Sequence, residues 1–182
     1  MIPNDLQIWL ELQNSKQDTP FSDDGVVFVP AGEVPASVHE GYIEPTYLSA
    51  EELKEPSIAA NIHAHKDTIA LITWAAVDEN ESAWGYWRGP EDTPITEAPI
   101  VQLDSEGTYR LLPGASLSDA LAWSLDDYSH TFDEFVELCA EAGVRLSAND
   151  PGALLAPADR AGQSNPAAVH AAANKMYLAA NE

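Results

Sequence analysis

Apolar side chains follow helical spacing at the start of this chain and strand spacing soon after it. Leu6 and Trp9 lie on one stripe and predict an amphipathic helix over residues 4–14, with Asn4 as its cap. The apolar run VVFVP, which ends in a proline, predicts a short strand. Residues 31–45 contain two prolines and two glycines, so we expect them to be irregular.

The middle of the chain is dominated by strand patterns. Residues 68–77, TIALITWAAV, are almost continuously apolar and rich in β-branched side chains, which is typical of a strand covered on both faces. SAWGYW predicts a neighbouring strand after the polar turn DENES. Residues 100–103 and 109–112 predict the two arms of a hairpin whose turn is residues 104–107.

Capping residues mark the start of four further predicted helices. Each has Ser, Thr or Asn before an apolar stretch, and two also have a glutamate three residues later that completes a capping box. These capping residues are Ser49 with Glu52, Ser116 or Ser118, Thr131 with Glu134, and Asn165. Pro56 interrupts or ends the first helix, Gly143 follows the third, and Pro166 stands in the first turn of the last.

The order of these patterns predicts the fold class. Strands occupy the middle and helices follow, which favours an α+β domain with a mainly antiparallel sheet flanked by helices. We expect residues 1–146 to form one such domain. Residues 147–182 are rich in Ala and Pro and predict an extension, a surface linker followed by the final helix.

Charge narrows the possible partners. Eight Lys and Arg against 30 Asp and Glu give a formal net charge of -22. Such a chain repels nucleic acid and anionic membranes and attracts a protein with a basic surface. The same charge is also typical of a protein that is acidic for solubility or for a salty cytosol. Since neither a signal peptide nor a long apolar segment is evident, the expected location is the cytoplasm.

The HAHKD stretch is the best candidate for metal chemistry. On a strand, His63, His65 and Asp67 would share one face, and two imidazoles with a carboxylate could ligate zinc. The interpretation that we favour is a polar loop leading into the strand at Thr68. We therefore expect no metal and no other cofactor.

No catalytic nucleophile is indicated. Serines lack the glycine elbow of hydrolases, and no glycine-rich phosphate loop is present. Cys139, the only cysteine, sits in an apolar helical pattern with Glu137 and Glu141 nearby, which would weaken a thiolate. We expect it to be a small core residue.

Three large aromatic side chains lie close together in ENESAWGYWRGPEDTP and are flanked by acidic residues. On a strand, alternate side chains point to opposite faces, so one set enters the core and the other can be exposed. An exposed aromatic anchor ringed by acids is typical of a protein-binding hot spot. The predicted partner-binding residues are Trp84, Tyr86, Trp87, Glu79, Glu81, Glu91 and Asp92.

The middle of the chain resembles the SUKH superfamily, which contains bacterial immunity proteins and fungal cell-wall synthesis regulators. The resemblance covers about residues 69–143 and lies in the order of an apolar strand, a polar turn, an aromatic strand, the hairpin PIVQLDSEG and the helix TFDEFVELCAEAG. It implies a SUKH-like α+β domain that works by binding, without catalysis. For the immunity members, it implies occupation of a cognate toxin.

We therefore expect a non-enzymatic module that binds a basic protein, of the immunity type that neutralises a toxin. Two alternatives stay open. One is a metal-dependent hydrolase that uses His63, His65 and Asp67, and the other is an accessory subunit of a larger bacterial or phage assembly. The sequence does not predict an oligomeric state.

Overall fold

The computed structural model describes residues 2–156 and 164–180, and it confirms an α+β fold. Five antiparallel strands form one sheet in the simple order β1-β2-β3-β4-β5. The strands are β1 (Val27–Phe28), β2 (Ile72–Val77), β3 (Ala83–Trp87), β4 (Ile100–Leu103) and β5 (Tyr109–Leu111).

Six helices flank this sheet within the described residues. They are α1 (Asn4–Asn14), α2 (Ala36–Val38), α3 (Pro56–Ile69), α4 (Leu117–Ser124), α5 (Phe132–Glu141) and α6 (Pro166–Ala180). Helix α2 continues directly into a π-helical turn, His39–Ile43. None of the helices in residues 2–156 and 164–180 combines the length and apolarity needed to cross a membrane.

Helices cover both faces of the sheet. On one face, α1, α4 and α5 pack around Trp9, Leu121 and Phe135, which are fully buried. On the other face, Val38 of α2 and Ile69 of α3 pack on the sheet together with the first turns of α6. Because both faces are covered, every residue of β3 and β4 is buried, and the near-continuous apolar character of these strands follows from that.

Gly85 is required by close approach of two strands. It lies opposite Trp74 in the β2–β3 pairing, where the register shifts by one residue. A Cβ at this position would lie 2.5 Å from Cγ2 of Ile72 and 2.8 Å from the carbonyl oxygen of Thr73. The glycine in SAWGYW therefore allows β3 to pack tightly against β2.

Several predicted capping residues are confirmed. Ser116 and Thr131 each accept a hydrogen bond from the backbone N–H three residues later, and the acidic side chain at that position bonds back to the cap. Asn165 caps α6 by accepting a hydrogen bond from the N–H of Ala168 at 3.2 Å. Ser49 and Glu52 also bond reciprocally, but the turn that they begin is only the short 3₁₀ segment Glu52–Lys54.

Pro56 begins a helix and does not end one. Its ring occupies the first position of α3, where the missing N–H has no intrahelical partner to lose. The same helix continues to Ile69, so the strand predicted over residues 68–77 begins only at Ile72. Residues 31–45, predicted to be irregular, contain α2 and the π-helical turn.

The C-terminal extension packs on the rest of the protein. Leu154 is buried in the core, and the N–H of Gly114 donates to the carbonyl of Leu155 at 2.9 Å. Helix α6 lies against α3 and β5, and Nε1 of Trp87 donates to the carbonyl of Ser164 at 2.8 Å. Part of the predicted linker, residues 157–163, lies outside the described residues. The division at residue 146 stays a prediction.

Candidate functional site

The aromatic residues of β3 are core residues, so the prediction of an exposed anchor is wrong. Trp84 and Tyr86 are 1% and 2% exposed and pack towards α1, α4 and α5. Trp87 is 1% exposed and packs on the opposite face of the sheet. The strand alternation was predicted correctly, but helices cover both faces of the sheet, so none of these three rings is exposed.

The four predicted acidic residues do not surround these rings. Glu79 and Glu81 precede β3, whereas Glu91 and Asp92 follow it, so the two pairs lie at opposite ends of the strand. Asp92 pairs with Arg88, and Glu91 accepts a hydrogen bond from Oγ of Ser164 at 3.0 Å. Only the first pair therefore belongs to the surface described next.

The HAHKD residues lie on α3, so the predicted strand geometry is wrong, and so is the favoured alternative of a loop. Residues two apart on a helix point about 200° apart, which separates His65 from His63 and Asp67. His63 and Asp67 are exposed and contact Tyr177, whose hydroxyl donates to Oδ2 of Asp67 at 2.7 Å. His65 faces inward. Within residues 2–156 and 164–180, no three His, Cys, Asp or Glu side chains converge closely enough to hold a metal ion.

Cys139 is a core residue, as predicted. It is fully buried in α5, and burial, together with the nearby carboxylates of Asp119 and Asp5, raises the pKa of its thiol to about 12. The thiol therefore stays protonated at neutral pH and is a poor nucleophile.

One end of the sheet is strongly acidic. Three segments meet there because neighbouring strands are antiparallel: the segment that enters β1, the β2–β3 turn and the β4–β5 turn. The turn between α4 and α5 lies beside them. We call this surface the acidic end; its residues are Asp23, Asp24, Asp78, Glu79, Glu81, Asp104, Glu106 and Asp127.

Two of these turns have the same hydrogen-bonding arrangement, in which an aspartate carboxylate accepts two backbone hydrogen bonds. Oδ1 of Asp78 accepts hydrogen bonds from the N–H groups of Asn80 and Ser82, at 2.9 and 2.8 Å. Oδ1 of Asp104 accepts from those of Glu106 and Thr108, at 3.1 and 2.8 Å. These short-range bonds fix the backbone of both loops, which carries the remaining acidic side chains.

The first of two clefts at the acidic end has mostly polar walls. This acidic groove has a volume of about 710 Å³ and lies between the start of β1, the β2–β3 turn and the α4–α5 turn. Its acidic lining residues are Asp23, Asp24, Asp78, Glu79 and Asp127. Burial raises the pKa of Asp78 above its usual value, with the neighbouring charge of Glu79 adding to the effect. Asp78 therefore ionises less readily than a solvent-exposed aspartate.

The second cleft combines aromatic and acidic walls. This aromatic cleft has a volume of about 560 Å³ and lies between the π-helical turn, the first half of α3 and the β4–β5 turn. Tyr42 and Tyr47 supply rings, and Glu81 and Glu106 supply carboxylates. π-Helical turns are rare and often lie at functional sites. Among the described residues that line either cleft, none is Lys or Arg.

A cluster of rings lies at the base of the aromatic cleft. His65, which is 4% exposed, contacts the rings of Tyr42 and His170 with centroid separations of 4.9 and 4.3 Å. Its Nδ1 shares a hydrogen bond of 2.8 Å with the hydroxyl of Tyr109. Burial lowers the pKa of His65 to about 4, and the neighbouring His170 contributes a smaller part of this shift. Burial also lowers the pKa of His170, so both imidazoles are neutral at neutral pH.

Two polar atoms near this ring cluster lack a hydrogen-bond partner among the described residues. They are Nε2 of His170 and Oδ1 of Asn174, and both are buried. Buried polar atoms are almost always hydrogen-bonded in folded proteins, so each one without a partner calls for an explanation. Asn174 also lines the aromatic cleft, which places an unused acceptor beside an open volume.

Most residues of the aromatic cleft were not predicted from the sequence. Tyr42 lies in residues 31–45, which were predicted to be irregular, and Tyr47 follows that stretch; His170 and Asn174 lie on a helix far along the chain. The one available signal was the spacing of His170, Asn174 and Tyr177, which puts them on one face of α6.

Comparisons with known proteins found no relative of this chain. No protein-family model matches the sequence, no curated protein is significantly similar to it, and no solved structure has a significantly similar fold. The resemblance to the SUKH superfamily therefore stays a prediction.

Proposed function

We propose that this protein is a non-enzymatic binding module whose acidic end takes a basic protein, in the manner of an immunity protein that occupies a toxin. The observation that carries the proposal is the concentration of carboxylates at one end of the sheet, around two clefts whose described linings contain no Lys or Arg. A cationic surface docked here would neutralise charges that otherwise repel one another.

Long-range attraction supports the same proposal. With a formal charge of -22, the chain attracts a basic partner before contact, and the acidic end would orient that partner as it approaches. At physiological ionic strength the Debye length is about 8 Å, so charges near the contact dominate the final docking. The immunity role follows from the resemblance to the SUKH superfamily, whose immunity members block a toxin by binding it.

Charge reversal at the acidic groove tests the proposal. Asp23→Lys with Glu79→Lys changes two exposed carboxylates of the groove. A matched control, Glu33→Lys with Glu97→Lys, makes the same change in net charge near the other end of the sheet, at two exposed residues. Both pairs leave the core untouched.

The partner is first captured from the native host with the wild-type protein, identified by mass spectrometry and purified. Association rates are then measured by biolayer interferometry at low and physiological salt. We expect the groove variant to associate at least about tenfold more slowly, with a weaker salt dependence, and the control to stay within about threefold of wild type. Equal effects of the two pairs would mean that net charge alone drives association and would contradict the proposal.

A further inference from the structure

We propose that the aromatic cleft binds a single organic cation, an alkylammonium or guanidinium group carried on a short apolar chain. Such a group ends a lysine or arginine side chain and also occurs in free amines. Where the cation is a protein side chain, the inference rests on the proposed function, because that side chain would belong to the basic partner that the acidic end recognises.

The walls of the cleft match the charge of such a ligand. Glu81 and Glu106 carry carboxylates that can pair with a cation and accept its hydrogen bonds. The rings of Tyr42 and Tyr47 line the same volume, and aromatic faces attract ammonium and guanidinium groups. A negative ligand would meet two carboxylates and no described basic side chain, so an anion is excluded on electrostatic grounds.

The base of the cleft offers a hydrogen-bond acceptor and no competing positive charge. Oδ1 of Asn174 is buried without a partner among the described residues, and a donor N–H of the ligand would satisfy it. His65 is neutral because of its burial, so it does not repel a cation. Its Cε1–Nε2 edge faces the β4–β5 turn, where a Cβ on Gly107 would lie 3.4 Å from Cε1 and 3.5 Å from Nε2.

Apolar side chains line the remaining wall. Leu48, Ile58 and Ile62 contribute aliphatic surface, which suits the methylene stem that carries the charge of lysine or arginine. The volume of about 560 Å³ lies in the range of small-molecule sites, and it accommodates one such side chain or a short amine.

The backbone at Glu81 is strained. Its φ of +66° is in the left-handed region that non-glycine residues rarely adopt. Strained residues of this kind persist where the surrounding structure holds them, and they concentrate at ligand-binding positions. Glu81 lines the aromatic cleft, whereas Glu79, two residues earlier, lines the acidic groove.

Titration with defined probes tests the inference. N-acetyl-lysine methylamide, N-acetyl-arginine methylamide and spermidine are added to the full chain, and backbone amide shifts are followed by NMR. The matched neutral probe is N-acetyl-citrulline methylamide, which keeps the shape of arginine without its charge. We expect the cations to shift residues of the aromatic cleft in a saturable manner and citrulline to leave them unchanged. Saturation by citrulline with similar affinity, or cation-induced shifts spread over all acidic surfaces, would overturn the inference.

Four variants sharpen the test. Glu81→Gln with Glu106→Gln removes two charges without changing shape and should weaken cation binding about tenfold or more. Glu33→Gln with Glu97→Gln removes the same charge elsewhere and should weaken it less than about twofold. Tyr47 is 72% exposed, so its replacement spares the fold: Tyr47→Leu should weaken binding about threefold, whereas Tyr47→Phe, which keeps a ring, should not. Equal effects of the two glutamate pairs would overturn the inference.

The probes also separate the two sources of the cation. Tighter binding of the amino-acid probes than of spermidine identifies a protein side chain, and the reverse order identifies a free amine; both outcomes support the cleft as a cation site. If a captured basic partner binds through the acidic groove while none of the probes saturates the cleft, the inference fails and the proposed function stands. If the probes bind and no basic partner is retained, the proposed function fails and the cleft takes free amines.

Discussion

Acid should destabilise this protein through His65, and replacing that residue with glutamine should remove the effect. The imidazole is buried against Tyr109 and His170, and its pKa in the folded protein is lowered to about 4, compared with 6.5 for an unperturbed histidine. Between these values the unfolded chain binds a proton that the folded protein does not. The stability that neutral His65 contributes is therefore fully present above about pH 6.5 and is lost as the pH falls towards 4.

The size of the effect follows from the two pKa values. Each unit of difference is worth about 1.4 kcal/mol, so the loss between pH 7 and pH 4 is about 3 kcal/mol. Many carboxylates also titrate in this range, but they do so in wild type and variant alike. The difference between the two pH profiles isolates the contribution of His65.

Urea unfolding followed by tryptophan fluorescence measures this difference at several pH values between about 7 and 4. We expect the free energy of unfolding of wild type to fall by about 3 kcal/mol more than that of His65→Gln across the range. His63→Gln is the matched control, because His63 is exposed on the same helix, and its profile should follow wild type. A difference below about 1 kcal/mol between wild type and His65→Gln would refute the reasoning, since the folded protein would then be taking up the proton.

Two further predictions concern stability and use the same urea assay at neutral pH. Trp87→Leu should lower the free energy of unfolding by about 3 kcal/mol, because the ring is buried and its Nε1 donates to the carbonyl of Ser164; a loss below about 1 kcal/mol would indicate that the ring is not part of the core. Asp119→Ala should also cost about 3 kcal/mol, because its buried carboxylate accepts hydrogen bonds from the N–H groups of Ser116 and Ser147 at 3.1 and 2.7 Å. Asp119→Asn, which keeps one acceptor oxygen, should cost less, and equal losses would contradict this explanation.

Local signals were sufficient for much of the fold. The helix over residues 4–14, the β4–β5 hairpin and the capping box at Thr131 were predicted where the structure has them. Each depends on contacts between residues a few positions apart, such as a cap and the N–H three residues later. Such contacts can be identified in the sequence because both partners are close together in it.

The HAHKD stretch shows where local signals mislead. Two histidines and an aspartate at alternate positions suggested a strand face, yet Pro56 begins a helix that runs through all three. That helix is stabilised by packing against α6, about a hundred residues later, and His65 pairs with rings from β5 and α6. No pattern within α3 reveals those partners, so its buried and exposed faces could not be assigned from sequence.

By itself, the sequence determined the α+β class, the order of most helices and strands, the alternation within β3 and the acidity of the surface. Only the tertiary structure decided that helices cover both faces of the sheet, that Trp84 and Trp87 are therefore both buried, and that carboxylates from four separate segments meet at one end. The physical reason is that hydrophobic periodicity and helix capping depend on residues only a few positions apart in the chain. Which face is covered, and which charges become neighbours, depends on contacts between elements that are distant in the chain.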